Sequence, residues 1–189
     1  MQKIIFKFTD SLKKMKQLRV LTIGSMLVAL YVLSSFFLRF YPSESVKISI
    51  EFLFIATAAY LHGPIMAMIV GGLGDSITWL LQTPGPFNPG ITLCIAAMGL
   101  VFGLFYYNEK PSLPRCIIAC VTETVIIELI LKTYALKALY GTTFTAVLML
   151  RLLPSSIMLV VMIALTYAFF KAIGPIKARL DHNERALRR

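Results

Sequence analysis

The chain has 189 residues, 58% of them hydrophobic, and a mean hydropathy of +0.78. A soluble domain of this length has too little interior to hide so much apolar surface, so the composition excludes a water-soluble globule and places the chain in a bilayer. The net charge of +10 is a topology signal plus attraction to anionic lipid and not a nucleic-acid footprint, because no aromatic residues interleave the basic termini as a stacking platform requires.

The first nineteen residues carry Lys3, Lys7, Lys13, Lys14, Lys16 and Arg19. They have the charge of a signal peptide, but the apolar run that follows, 20–38, is of full span length and lacks an obvious small-residue cleavage site, so it reads as a retained first helix. Further apolar runs lie at 50–61, 65–81, 91–107, 116–136 and 146–170, judged against the ~20 residues that a span requires. The second run is short, and the third to some extent. Such segments tilt, thin the bilayer or sit inside the bundle, and they often border binding sites. All six runs are continuously apolar, whereas a barrel needs ~10-residue segments of alternating polarity. The expectation is therefore an all-α integral membrane bundle of six transmembrane helices, forming a single substrate-binding domain over 1–189. No repeat, low-complexity tract or linker divides it.

Orientation follows from the basic residues, which crowd both ends: the N-terminal set above, and Lys171, Lys177, Arg179, Arg185, Arg188 and Arg189. Both termini are expected to be cytoplasmic, with 108–115 on the same side and the uncharged loop 82–90 on the other, which an even number of helices satisfies. Cys94, Cys116 and Cys120 have neither the histidine nor the second pair that a metal site needs and read as small buried hydrophobes. His62 falls in a Gly-Pro turn and His182 in the basic tail. With no histidine cluster, HExxH motif, nucleophile elbow or Walker loop, the expectation is a non-enzyme without metal or cofactor of its own.

The polar residues of the apolar runs gather toward the outer half of the membrane: Arg39, Lys47, Glu51, Asp75, Trp79, Asn88, Glu128, Lys132, Tyr134 and Arg151. A charge at the bilayer centre costs roughly 2.5–3.5 kcal/mol on insertion scales, which makes intramembrane carboxylates functional candidates. Snorkelling accounts for Arg39, Lys47 and Lys137, whose long stems reach the headgroups. It accounts poorly for Glu51, Asp75 and Glu128, whose short side chains must find donors locally or be protonated. Lys132 lies one turn from Glu128, so an intrahelical pair and a ligand contact are equally open there. Asp75 follows Gly71-Gly72-Leu73-Gly74, where close helix approach makes a bridging role as plausible as ligand binding. Glu123, nearer mid-helix, can pair with another helix. The proline-rich loop 82–90 delivers Phe87 and Asn88 to the mouth of the fourth helix, whose start at Pro89 or Gly90 leaves backbone amides able to bind an anionic or carbonyl group, unless the loop is only a connector. Trp79 is either an interface belt residue or a stacking partner for a planar ligand.

The runs Ile48-Ser49-Ile50-Glu51, Gly63-Pro64, Gly71-Gly72-Leu73-Gly74-Asp75, Pro86-Phe87-Asn88-Pro89-Gly90-Ile91-Thr92-Leu93 and Gly99-Leu100-Val101-Phe102-Gly103-Leu104, in this order and spacing, resemble the substrate-binding S-components of energy-coupling factor (ECF) vitamin transporters, most closely the folate-specific branch. The resemblance covers nearly the whole chain. It implies a vitamin-capture protein with an outward-opening pocket, working with a membrane T-component and two cytoplasmic ATPases that supply the ATP hydrolysis. It also implies docking through a small-xxx-small pattern in the first helix, here Ser25 to Ala29, with serine where alanine is common; small side chains let another helix come close. The Gly99 to Gly103 pair is expected to join two helices within the chain.

Folate suits the residue inventory. A planar pterin with donors and acceptors on its edge matches carboxylates, Asn and aromatic faces, and a glutamate tail with two carboxylates matches Arg and Lys. The expected substrate-binding set is Glu51, Asp75 or Asn88 near the pterin edge, Trp79 and Phe87 stacking, Arg39, Lys132 or Arg151 near the tail, and Pro89 and Gly90 at the helix mouth. An S-component for thiamine, riboflavin or pantothenate is the rival within the family, and a self-sufficient secondary transporter the rival outside it. Lys132 and Arg151 disfavour a cationic ligand such as thiamine.

Overall fold

The computed structural model describes residues 2–37, 40–43, 46–82, 87–109, 112–141 and 143–187. They form a helical bundle with one short β-hairpin. In chain order the elements are α1 (Gln2–Met15), α2 (Leu18–Phe37), β1 (Phe40–Ser43), β2 (Val46–Ile48), α3 (Glu51–His62), α4 (Pro64–Gln82), α5 (Pro89–Tyr106), α6 (Leu113–Thr122), a π-helical segment (Glu123–Leu131), α7 (Lys132–Tyr140) and α8 (Phe144–Leu187). The residues at both junctions of α6, the π segment and α7 keep right-handed helical angles, so the three form one continuous rod. Together with α2, α3, α4, α5 and α8 this makes six rods of an integral membrane bundle.

Helices α2, α4 and α5 and the stretch Val147–Gly174 of α8 have the length and apolar character of membrane spans. Their outward positions, such as Leu18, Phe37, Leu93 and Val160, are exposed hydrophobics that lipid would cover. Helix α3 is different. Its 12 residues rise about 18 Å, against about 30 Å of hydrocarbon, and all but Phe54 and Leu61 are buried. The shortness anticipated for the second run thus means an interior helix wrapped by the others. Because α3 begins at Glu51, well short of a full span, space remains beyond its N-terminus.

Close approach is greatest between α4 and α5, where glycine makes room. A Cβ at Gly99 would sit 2.5 Å from the carbonyl of Ala67, and one at Gly103 would collide with Pro64. These contacts are with backbone, which cannot swing aside. The Gly99 to Gly103 pair therefore joins helices within the chain, as expected. At the turn between α3 and α4, Gly63 has φ +95°, a conformation that side chains rarely tolerate.

One end of the bundle is sealed by rings. Tyr60 stacks on Phe170 with centroids 4.8 Å apart, Tyr106 meets Phe170 edge-on at 4.7 Å, and Phe102 lies 5.4 Å from Tyr106. Such arrangements suit the ring quadrupole. The buried thiols of Cys116 and Cys120 complete this layer, with Cys120 Sγ 3.7 Å from the Tyr106 hydroxyl.

Three elements go beyond what the sequence announced. The basic N-terminal segment, to which composition assigned only a topological role, forms the amphipathic helix α1 across the sealed end. Ser11 donates to the His62 carbonyl (2.8 Å), Lys7 donates to the Leu104 carbonyl (2.8 Å), and the Tyr107 hydroxyl donates to Asp10. Helix α8 continues to Leu187 where hydropathy ended it near 170, because helical backbone persists after the side chains turn polar. Between α2 and α3 the chain forms the hairpin β1–β2, antiparallel with Phe40 opposite Ile48 and Ser43 opposite Val46, and β2 rests against α8.

Candidate ligand cavity

Opposite the sealed end, the bundle encloses a cavity of about 430 Å³ between α2, α3, α4, α5, the π segment, α7 and α8. Its apolar wall includes Ile55, Ile91, Ile95, Met98, Met158 and Met162, while Glu51, Asp75, Glu123, Glu128, Lys132 and Arg151 bring charge into it. Ser49, next to β2, places the base of the hairpin at the mouth.

The charges are organised. Lys132 Nζ donates to Glu128 Oε2 at 2.5 Å, and Arg151 Nη2 donates to Glu128 Oε1. One carboxylate is thus shared by two cations from different helices, leaving the triad with one excess positive charge. The Nε of Arg151 is buried without a hydrogen-bond partner among the described residues. On α8, Leu150, Arg151, Pro154 and Ser155 all face the cavity. Pro154 has no N–H to give the Leu150 carbonyl, so the helix is interrupted at the level of the cationic cluster. Across the cavity, Asp75 Oδ2 accepts from Thr92 Oγ1 at 2.7 Å, a bridge between α4 and α5. Glu51 is 8% exposed at the start of α3.

Glu123 is 0% exposed. Thr124 Oγ1 lies 3.3 Å from its Oε2, and its Oε1 has no partner among the described residues. It heads the π segment and lines the cavity beside Thr124. The sequence treated it as a helix-pairing residue for a geometric reason. On an α-helix, residues five apart are separated by about 140° around the axis, which sets Glu123 and Glu128 on different faces. The i→i+5 bonding of a π-helix widens each turn and brings such residues toward one face. Periodicity of 3.6 cannot announce this.

The remaining expected site residues are distributed as follows. Glu51, Asp75, Lys132 and Arg151 meet at the cavity. Trp79 and Phe87 pack on each other, centroids 4.9 Å apart at 57°, away from the residues that line it. Asn88 caps α5: its Oδ1 accepts from the Gly90 amide at 2.9 Å, and its Nδ2 donates to the Ala135 carbonyl at 3.1 Å, tying α5 to α7. Pro89 occupies the first helical position. The Ile91 and Thr92 amides also turn back to the Asn88 carbonyl. The amides at this helix mouth, offered above as an anion site, are therefore engaged locally. Arg39 lies outside the described residues. Ser25 and Ala29 are exposed on α2, with Met26 between them, and Ser25 Oγ donates back to the Thr22 carbonyl at 2.9 Å. Tyr31, Thr124 and the methionines of the wall carried no sequence signal beyond hydrophobicity. No group of His, Cys, Asp and Glu suited to a metal ion occurs among the described residues.

A bundle of apolar helices sealed at one end and holding a charged, partly apolar cavity at the other defines a membrane protein built to hold a small polar molecule. Residues 19–176 match the family described as ECF transporter, substrate-specific component, and the chain belongs to that family. It is 26% identical over 163 residues to the folate transporter FolT of Clostridium novyi (strain NT), an alignment covering 86% of this chain and 94% of that one. Its fold matches a crystal structure of FolT bound with folic acid at a TM-score of 0.75 and 27% identity, covering 82% of this chain and 95% of the other. The family resemblance drawn from the short motifs is thus established, and with it the six-rod membrane bundle.

Proposed function

We propose that this chain is the folate-binding S-component of an ATP-driven ECF vitamin transporter in a bacterial cell membrane. The cavity end with the hairpin faces outward, and the sealed end, α1 and both termini lie in the cytoplasm, consistent with the density of Lys and Arg there. Folate is captured from the outside. The exposed Ser25 to Ala29 face of α2 then docks to a membrane T-component, and two partner ATPases drive reorientation and release. The chain contributes no nucleotide site to this cycle.

One observation carries the ligand assignment: in a fold shared with a folic-acid-bound FolT, a single cavity holds carboxylates together with the Lys132–Glu128–Arg151 cluster. Aminopterin-type ring edges offer N–H donors that match carboxylates, and the two carboxylates of a glutamate tail match a cluster with excess positive charge. The apolar wall of isoleucines and methionines supplies the faces that a planar ring needs. The cavity residues Glu51, Asp75, Lys132 and Arg151 are assigned to the ligand itself. Asn88, Pro89 and Gly90 shape the mouth, and Trp79 and Phe87 form its aromatic rim.

The test is calorimetric titration of the purified chain in detergent with folate, thiamine, riboflavin and pantothenate, without nucleotide. Tight one-to-one binding of folate alone is expected. Preference for another vitamin would overturn the ligand while keeping the family, and absence of binding to all four would overturn the capture role of the isolated subunit.

A further inference from the structure

Among the carboxylates of the cavity, three already have work within the protein. Asp75 accepts from Thr92, Glu128 is held by Lys132 and Arg151, and Glu51 has an interaction of its own. Glu123 differs. It is fully buried, it lines the cavity, and its Oε1 has no partner among the described residues. A carboxylate oxygen held in such a place without a donor is costly unless something that enters the cavity supplies one.

Position decides what that something is. The rod of α6, the π segment and α7 runs from the sealed end toward the open one, so Glu123 precedes Glu128 and Lys132 along it. Nine residues separate Glu123 from Lys132, at most about 13 Å of rise. The acid therefore stands at the inner part of the cavity, with Met98 and Met162 also among its lining residues, and the cations stand nearer the mouth. A ligand that bridges the two must be elongated, with paired N–H donors at one end, an apolar planar body and an anionic other end.

We propose that Glu123 reads the 2-amino and N3–H edge of the pterin, so that folate enters ring first and its glutamate comes to rest toward Lys132 and Arg151. This rests on the folate reading above and adds to it the direction of the ligand and the residue that recognises the ring. Two parallel N–H donors on an N–C–N edge match the two oxygens of one carboxylate, as a guanidinium does. The Thr124 hydroxyl beside Oε2 holds the carboxylate's orientation. Glu51 and Asp75 are left to the flanks of the ring.

The experiment compares folate with 2-desamino-2-methylfolate, which lacks the donor at position 2, on the wild-type chain and on Glu123→Gln. The amide keeps the volume but cannot accept two hydrogen bonds. Wild type should bind folate about 30-fold tighter than the 2-methyl analogue, the worth of a hydrogen bond to a charged group. In E123Q that preference should shrink to within about threefold, with folate suffering the loss and the analogue nearly unchanged. Equal affinities of wild type for the two ligands would overturn the assignment without any variant. So would an E123Q chain, folded by thermal unfolding, that weakens both ligands by the same factor or neither. Failure of wild type to bind folate at all would instead overturn the folate reading on which the assignment stands.

Discussion

Replacing Glu128 by Gln should destabilise the empty protein and be rescued by its ligand. The carboxylate is the common partner of Lys132 and Arg151, and the three side chains retain 25%, 18% and 21% of their exposure. Removing the charge leaves two cations facing each other with an amide whose N–H₂ can only repel one of them. Breaking a fully buried pair costs about 3–5 kcal/mol; with a fifth of each side chain still exposed, about 2 kcal/mol is the expected loss. For a chain of this size that lowers the unfolding midpoint by about 4–8 °C. Folate should narrow the gap, because its tail carboxylates supply the missing negative charge between the cations, and a ligand stabilises only the state that binds it. The assay is thermal unfolding in detergent of wild type and E128Q, each without and with saturating folate. An unliganded E128Q that melts within about 1 °C of wild type would show that the triad is solvated and structurally idle. A gap that persists undiminished in folate would place the ligand's carboxylates elsewhere.

Three further outcomes are expected. Arg151→Ala should weaken folate by about 10- to 100-fold, the range for a charge-assisted contact, while 6-hydroxymethylpterin, which has no glutamate, loses less than about threefold; equal losses in paired titrations would refute the tail assignment. Ser25→Trp or Ala29→Trp should abolish folate uptake by cells carrying the whole transporter and leave binding by the isolated chain unchanged, since both positions are exposed and remote from the lining; unimpaired uptake would remove the docking face from this part of α2. Gly99→Ala should cost about 1–3 kcal/mol, because the added methyl meets the Ala67 backbone and α4 must move off α5; an unchanged unfolding midpoint would show that the two helices are looser than their contact implies.

What could be read from the sequence depended on which physical signal each feature leaves. Hydropathy responds to apolar runs, and it located the apolar cores of the rods, including the shortness of α3. It says nothing of helices in water, so α1 and the end of α8 lay beyond it. The hairpin at 40–48 escaped because strands of four and three residues are shorter than any periodicity they could display. In the cavity, Asp75, Lys132 and Arg151 were visible because a charge amid apolar residues is costly wherever the chain folds. Their mutual arrangement was half visible: the Glu128–Lys132 pair follows from helical spacing, whereas Arg151 joins it from another helix. Glu123 was in plain sight as a charge but was misplaced by an α-helical phase that the π segment does not keep. Asn88 was noted for its position in the loop, and its work as a cap follows from its own side-chain chemistry.

Helix α2 ties capture to docking. Tyr31 lines the cavity and is 2% exposed, its ring filling the space left by Gly74, one residue before Asp75. Two residues earlier Ala29 points outward, since two steps along an α-helix turn the chain by about 200°. A ligand against Tyr31 and a partner helix against Ala29 therefore press on opposite faces of one rigid rod. Neither needs to contact the other for their affinities to depend on each other, provided α2 has more than one seating against α4. Its contact there is made by an aromatic ring on glycine, which resists tilting less than interlocked branched side chains do. On the proposed function, the occupied cavity fixes α2 in the seating that the T-component recognises. Linkage then demands the converse: docking must change the affinity for folate by the same factor that folate changes the affinity for the docking partner.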